Sequence, residues 1–215
     1  VYAEALNSLQ ESMMSRLPRA GALALCLSVT LSACQQHATS STVTGIDEQN
    51  FHASSYPLTL HYDASLIALD GQASRYFDNG DWQLADDTPG DYLITLQLPE
   101  SDDVTTALWR LGASRDPAAV ERCLTLPANA QPMASKAEIA GQTFTGFTLG
   151  DAGMSPFQNV EGYRAVVDGA CYAIDLIVQG TNGEVYDPPR EAPFSREDAM
   201  KRLRSINDGV SFPRE

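Results

Sequence analysis

The stretch "VEGYRAVVDGACYAIDLIVQGT", residues 160–181, constrains the fold more than any other part of the chain. Two runs of alternating character flank Asp168-Gly169, a pair that suits the left-handed conformations of a two-residue hairpin turn. Pairing Val167 with Ala170 sets Tyr163 opposite Ile174 and Ala165 opposite Tyr172, with Leu176 and Val178 continuing that face. Arg164, Val166, Cys171, Ala173 and Asp175 share the other face, and Arg164 lies diagonal to Asp175, within reach of a salt bridge. We read that pair as cross-strand support and not as a site. An isolated hairpin is marginal in water, so the rest of the chain must supply more strands and a cover for the apolar face.

It does. "YPLTLHYD" from Tyr56 alternates as a strand does, "SLIALDG" ends in a turn at Asp70-Gly71, and "YLITLQLP" sets Ile94, Leu96 and Leu98 on one buried face. "TTALWRLGAS" stacks Ala107, Trp109 and Leu111 at period two. "QTFTGFTLGDAGM" predicts a strand carrying Phe144 and Phe147, with a bulge at the glycine between them. "FDNGDWQLADDTPGDY", from Phe77, reads as a hairpin or loop around Trp82 and Leu84. Asp116 followed by Pro117 starts a short helix that ends near Cys123. In "SREDAMKRLRSINDG", Ser195 caps, Met200, Leu203 and Ile206 recur at helical spacing, and Gly209 stops the helix. "VSF" then closes the domain as a last strand or an extended tail. Six to eight mostly antiparallel strands with two helices packed on them make an α+β fold.

The first quarter of the chain has another logic. In "MSRLPRAGALALCLSVTLSAC", residues 14–34, Arg16 and Arg19 precede an apolar stretch from Ala20 to Ala33. About 14 residues are too few to span a bilayer and suit the apolar core of a signal peptide. Residues 34–55 are rich in Ser, Thr and Gln and read as a flexible tether. His37 and His52, in that segment, read as incidental and not as metal ligands. The domains read from this are a leader over 14–33, a tether over 34–55 and one α+β domain over 56–215. Residues 1–13 do not fit a leader, so we expect translation to begin at Met13 or Met14, with Met14 favoured, and take 1–13 as an annotation artefact.

Leu31-Ser32-Ala33-Cys34 resembles the lipobox of bacterial lipoproteins. The resemblance implies cleavage before Cys34, acyl chains such as palmitate on Cys34, and a membrane partner reached through that lipid. Gln35, which is not the aspartate that retains such proteins at the inner membrane, implies an outer-membrane site facing the periplasm. Residues 141–154, 163–178 and 196–212 resemble a C-terminal pattern of uncharacterised exported bacterial proteins: a G-x-x-F strand, a D-A-G turn, a Y-R…G-x-C-Y hairpin and a final helix. The same order is similar to the PsbP-like α/β/α sandwich. Neither resemblance brings a catalytic residue with it.

Of four cysteines, Cys26 leaves with the leader and Cys34 carries lipid, which leaves Cys123 and Cys171. An oxidising compartment favours a disulfide between them; two free buried thiols are the alternative. The net charge is −14, and the two acids and two bases before Cys34 cancel, so the exported part carries all of it. Such a chain repels nucleic acid and suits basic partners or cations.

His61, in a strand pattern, has no nucleophile motif near it, and no zinc-type cluster or Gly-rich phosphate loop is seen. Asp78, Asn79, Asp81, Asp86 and Asp87 offer oxygens to calcium but lack the EF-hand order, so they read as a solvated turn. Tyr163, Tyr172 and Trp109 read as core, and Tyr186, in the loop before Asp187-Pro188-Pro189, as a candidate partner contact. The expectation is a non-enzymatic envelope lipoprotein without cofactor whose domain binds a protein or assists an assembly. The alternatives are an inhibitor or immunity lipoprotein against a basic cell-wall hydrolase, and a carboxylate-based hydrolase.

Overall fold

The computed structural model describes residues 47–69, 82–84, 88–152 and 155–213. In chain order they form β1 (Glu48–His52), β2 (Thr59–Asp63), β3 (Ile67–Leu69), β4 (Asp91–Gln97), β5 (Thr105–Ser114), α1 (Pro117–Arg122), β6 (Gln131–Pro132) and β7 (Ala137–Ile139). β8 (Gln142–Ala152), β9 (Pro156–Val167), β10 (Ala170–Thr181), α2 (Arg196–Ile206) and β11 (Val210–Ser211) follow. The large sheet runs β3-β4-β5-β10-β9-β8-β6, with β7 also on β8, and a small sheet runs β1-β2-β11. Every pairing is antiparallel. The fold is α+β.

The hairpin at the centre has the expected register: Ala170 opposes Val167, Tyr172 opposes Ala165 and Ile174 opposes Tyr163. Its turn holds Asp168 at φ 48° and Gly169 at φ 74°, the left-handed pair that matches the twist of the flanking strands. β5 and β10, paired along ten residues, are buried on both faces, so each needs a cover on either side.

α2 and the small sheet cover the first face. The Ser195 hydroxyl caps α2 by accepting from the Asp198 N–H at 3.0 Å. The helix then buries Ala199, Met200, Leu203 and Ile206. They join Leu58, Leu60, Leu96, Trp109, Ile174 and Leu176 in the main core. Trp109, wholly buried, donates its indole N–H to the Asn207 side-chain oxygen at 2.8 Å, which ties the end of α2 to the sheet.

α1 covers part of the second face. Asp116 caps it, accepting from the N–H groups of Ala118 and Ala119 at 2.9 and 3.3 Å, with Pro117 at the first helical position. Cys123, just past its end, is disulfide-bonded to Cys171 of β10. Trp82 packs there with Ala119, Cys123, Cys171 and Ala173, and donates its indole N–H to the Thr88 carbonyl at 2.8 Å. The two helices thus lie on opposite faces of the large sheet, as in an α/β/α sandwich.

Three expectations need correction. Glu48–His52 lies inside the segment 34–55 read as tether, yet it is a strand with five residues in register on β2. Its polar sequence hid this because four of its five residues are exposed and only Phe51 packs toward the core. The bulge expected at Gly146 is absent: β8 runs in continuous register on β9 from Thr145 to Ala152. A Cβ there would crowd the Met133 sulfur, so that flexible side chain would have to shift. Phe144 and Phe147 therefore point to opposite faces, and the irregular register falls instead in β4, between Tyr92 and Ile94. The described strands also outnumber the six to eight expected, since β3 and β7 have only three residues each and β6 and β11 only two. The leader, Cys34, His37, the Asp70-Gly71 turn, the acidic run Asp78, Asn79, Asp81, Asp86 and Asp87, and Gly153 of the D-A-G turn lie outside the described residues.

Candidate functional site

The described residues form three polar constellations. The first is buried on the second face of the large sheet. Arg164 of β9 meets Asp175 of β10 at 2.8 Å, as the register predicts, and Arg110 of β5 reaches the same carboxylate at 3.3 Å. All three side chains are at least 96% buried. Gln83 accepts from the Arg164 Nε–H at 2.8 Å, the Leu84 N–H donates to Asp175 at 3.2 Å, and the Arg164 guanidinium lies 5.1 Å from the Phe147 ring centre. Burial alone would push the Asp175 carboxyl up, but the charges of Arg164 and Arg110 outweigh it and hold the group below the usual carboxylate range. This cluster ties the 82–84 segment to the sheet. Arg110, Gln83 and Leu84 escaped the sequence because none is close in the chain to the hairpin they join.

The second surrounds Tyr186. Its hydroxyl donates to the Asp103 carbonyl at 3.2 Å and the Arg190 guanidinium lies 4.9 Å from its ring centre. Arg190 also pairs with Asp102 at 3.2 Å and Asp103 at 3.8 Å. Tyr186 is thus half-buried in a clamp that holds its loop to the turn before β5. A cavity of about 450 Å³ beside the clamp is lined by Val104, Phe157, Val178 and Phe194, with Arg190 and Arg196 at its edge.

The third is an open groove of about 710 Å³ between the small sheet, the last turn of α2 and the β2–β3 turn. Leu66, Leu98, Ile206 and Val210 supply its apolar lining, and Glu48, Asp63 and Asp208 its carboxylates. Asp63 accepts from the Ser65 N–H at 2.8 Å, and this bond lowers its carboxyl below the ordinary value. The arginine that lines the groove, Arg202, is already engaged by both oxygens of Glu100, at 3.1 and 2.9 Å. His61 lines the groove from an exposed position on β2, across from Asn50. The groove pairs apolar contact area with excess negative charge, which suits a basic protein surface better than a small anion. Tyr186 does not line it. Glu48 and Asp208 were not singled out in the sequence, because one sat in the supposed tether and the other in a helix stop.

Among the described residues no group of three or more His, Cys, Asp or Glu is placed to hold a metal ion. No described helix is long and apolar enough to cross a membrane.

The chain matches no family model and no curated protein. It is similar in structure to cyanobacterial PsbP (CyanoP) from Synechocystis, with a TM-score of 0.41 and 9% identity over 80% of this chain and 96% of that one. It is similar also to LpqN, involved in cell envelope biogenesis of Mycobacterium tuberculosis, with a TM-score of 0.38 and 12% identity over 79% of this chain and 88% of that one.

Proposed function

We propose that the chain is an exported lipoprotein of the bacterial envelope, anchored through Cys34 and facing the periplasm from the outer membrane. Its α+β domain acts without catalysis as a binding module for a basic protein. The observation that carries this reading is the ordered series of basic residues, apolar core and Leu31-Ser32-Ala33-Cys34 at the spacing of a lipoprotein leader. The Cys123–Cys171 disulfide supports an oxidising compartment. The acid-rich groove supports a basic partner. Burial of each acyl methylene contributes about 0.8 kcal/mol, and two or more chains hold a protein durably.

Metabolic palmitate labelling tests the anchor. The wild-type chain takes up label and fractionates with membranes, and Cys34→Ser does neither; an unlabelled wild type overturns the anchor. The binding half is tested with envelope extract at low and raised salt. A partner held through the groove is captured at low salt and lost on Asp63→Lys/Asp208→Lys. Capture indifferent to both salt and substitution overturns the groove reading. Inhibition of a basic cell-wall hydrolase is the narrower form of this function, favoured by the same groove, and unchanged rates across a panel of lysozyme-like enzymes would remove it.

A further inference from the structure

We infer that the outer edge of β1 is a self-pairing surface, on which a second copy of this chain adds its own β1 in antiparallel register. Among the described residues β1 is the outermost strand of the small sheet. Its hydrogen-bonding polarity can be read from its two ends. The Ala53 N–H bonds the Leu58 carbonyl at 3.0 Å, and the Ala64 N–H bonds the Asp47 carbonyl at 2.7 Å. Both pairs belong to the continuous register in which Asn50 opposes His61. Inward and outward backbone groups alternate along an antiparallel strand, so odd-numbered residues face β2 and Glu48, Asn50 and His52 direct their N–H and C=O groups outward.

An edge of this kind is ordinarily blunted by lysine, proline or a bulge. β1, "EQNFH", contains neither residue and its register is unbroken. A two-fold axis through Asn50 aligns the outward groups best. It pairs Asn50 with itself and Glu48 with His52 of the other copy, three pairs exchanging about six hydrogen bonds. The charges agree with that register. Within its own sheet Glu48 stands opposite Asp63, a like-charge pair that gains nothing. Across the axis Glu48 meets an imidazole instead. So short a contact makes a weak dimer in dilute solution, strengthened wherever copies are confined to one surface.

The full-length chain, expressed in bacteria, tests this through thiol trapping in whichever fraction holds the protein, so the result is independent of palmitate labelling. Hydrogen-bonded antiparallel neighbours have Cα atoms about 5.5 Å apart, within the span of a disulfide. Mild oxidation of Asn50→Cys therefore gives a covalent dimer on a non-reducing gel. Lys201→Cys, exposed on α2, gives none. Mixed Glu48→Cys and His52→Cys chains give the heterodimer that the register requires. Adding Asn50→Pro to both removes an outward donor while sparing the β1–β2 bonds, and the band is lost. The inference is overturned if Asn50→Cys cross-links no more than Lys201→Cys, or if the Glu48/His52 band survives Asn50→Pro.

Discussion

Asp175 decides the second face of the sheet. It pairs with two arginines that the surrounding strands have stripped of water, and breaking a buried ion pair is strongly destabilising. Asp175→Ala should lower stability by about 3–5 kcal/mol in urea unfolding, the cost typical of breaking a buried ion pair. Because the folded state holds this carboxyl below its unfolded value, the stabilisation is complete at neutral pH and decays as pH falls below about 4, through the folded pKa. An acid titration of the unfolding midpoint checks the sign, and Asp175→Ala should flatten that dependence. Tyr163 gives the opposite case. Burial, with the neighbouring Glu161 carboxylate, pushes its phenol up to about 12. Its contribution persists below about pH 10 and is lost as pH rises toward 12, which phenolate absorbance would follow. Glu161 is otherwise taken up by Arg204 of α2. Gly112 is a matter of space: a Cβ there would overlap the Trp82 carbonyl, so Gly112→Ala should displace the 82–84 segment.

At the scale of elements, α2 and α1 are held by different means. α2 is held by apolar burial, with Leu203 wholly inside. Leu203→Ala should cost about 2–5 kcal/mol in thermal or urea unfolding, and Ser195→Ala about 1 kcal/mol through the lost cap. α1 has six residues and buries little besides Ala119, so packing alone holds it weakly. The disulfide that follows closes a loop of 48 residues. In the chain-entropy description that constraint is worth ~4 kcal/mol against the unfolded state. Reduction, or Cys123→Ser/Cys171→Ser, should lower the free energy of unfolding by that order and expose α1 to amide exchange before β5 and β10. Equal protection of α1 in both forms would show that packing suffices.

For the molecule as a whole, charge and topology meet in the groove. The chain's −14 predicts no location for a partner, and only the fold brings Glu48, Asp63 and Asp208 to one opening. The proposed association there should weaken steeply as salt rises, since exposed charges are screened over about 10 Å at 0.1 M. Titration of a basic partner at two ionic strengths checks this. An affinity that changes little with salt would count against the proposed charge-driven contact.

Whatever rests on neighbours in the chain was legible from the residues alone. The Asp168-Gly169 turn fixed a register, the register placed Arg164 beside Asp175, and period two or helical spacing marked β5, β10 and α2. The caps at Asp116 and Ser195 were readable for the same reason, because a cap is a contact across three residues. Tertiary structure alone decided what depends on distant segments meeting. It made β1 a strand by laying it on β2, excluded a side chain at Gly112 through the Trp82 carbonyl, and added Arg110 and Gln83 to the buried charge cluster. Local spacing carries no record of such meetings: the free energy of a buried ion or a paired edge depends on which segment covers it, and that is set only when the sheet has assembled.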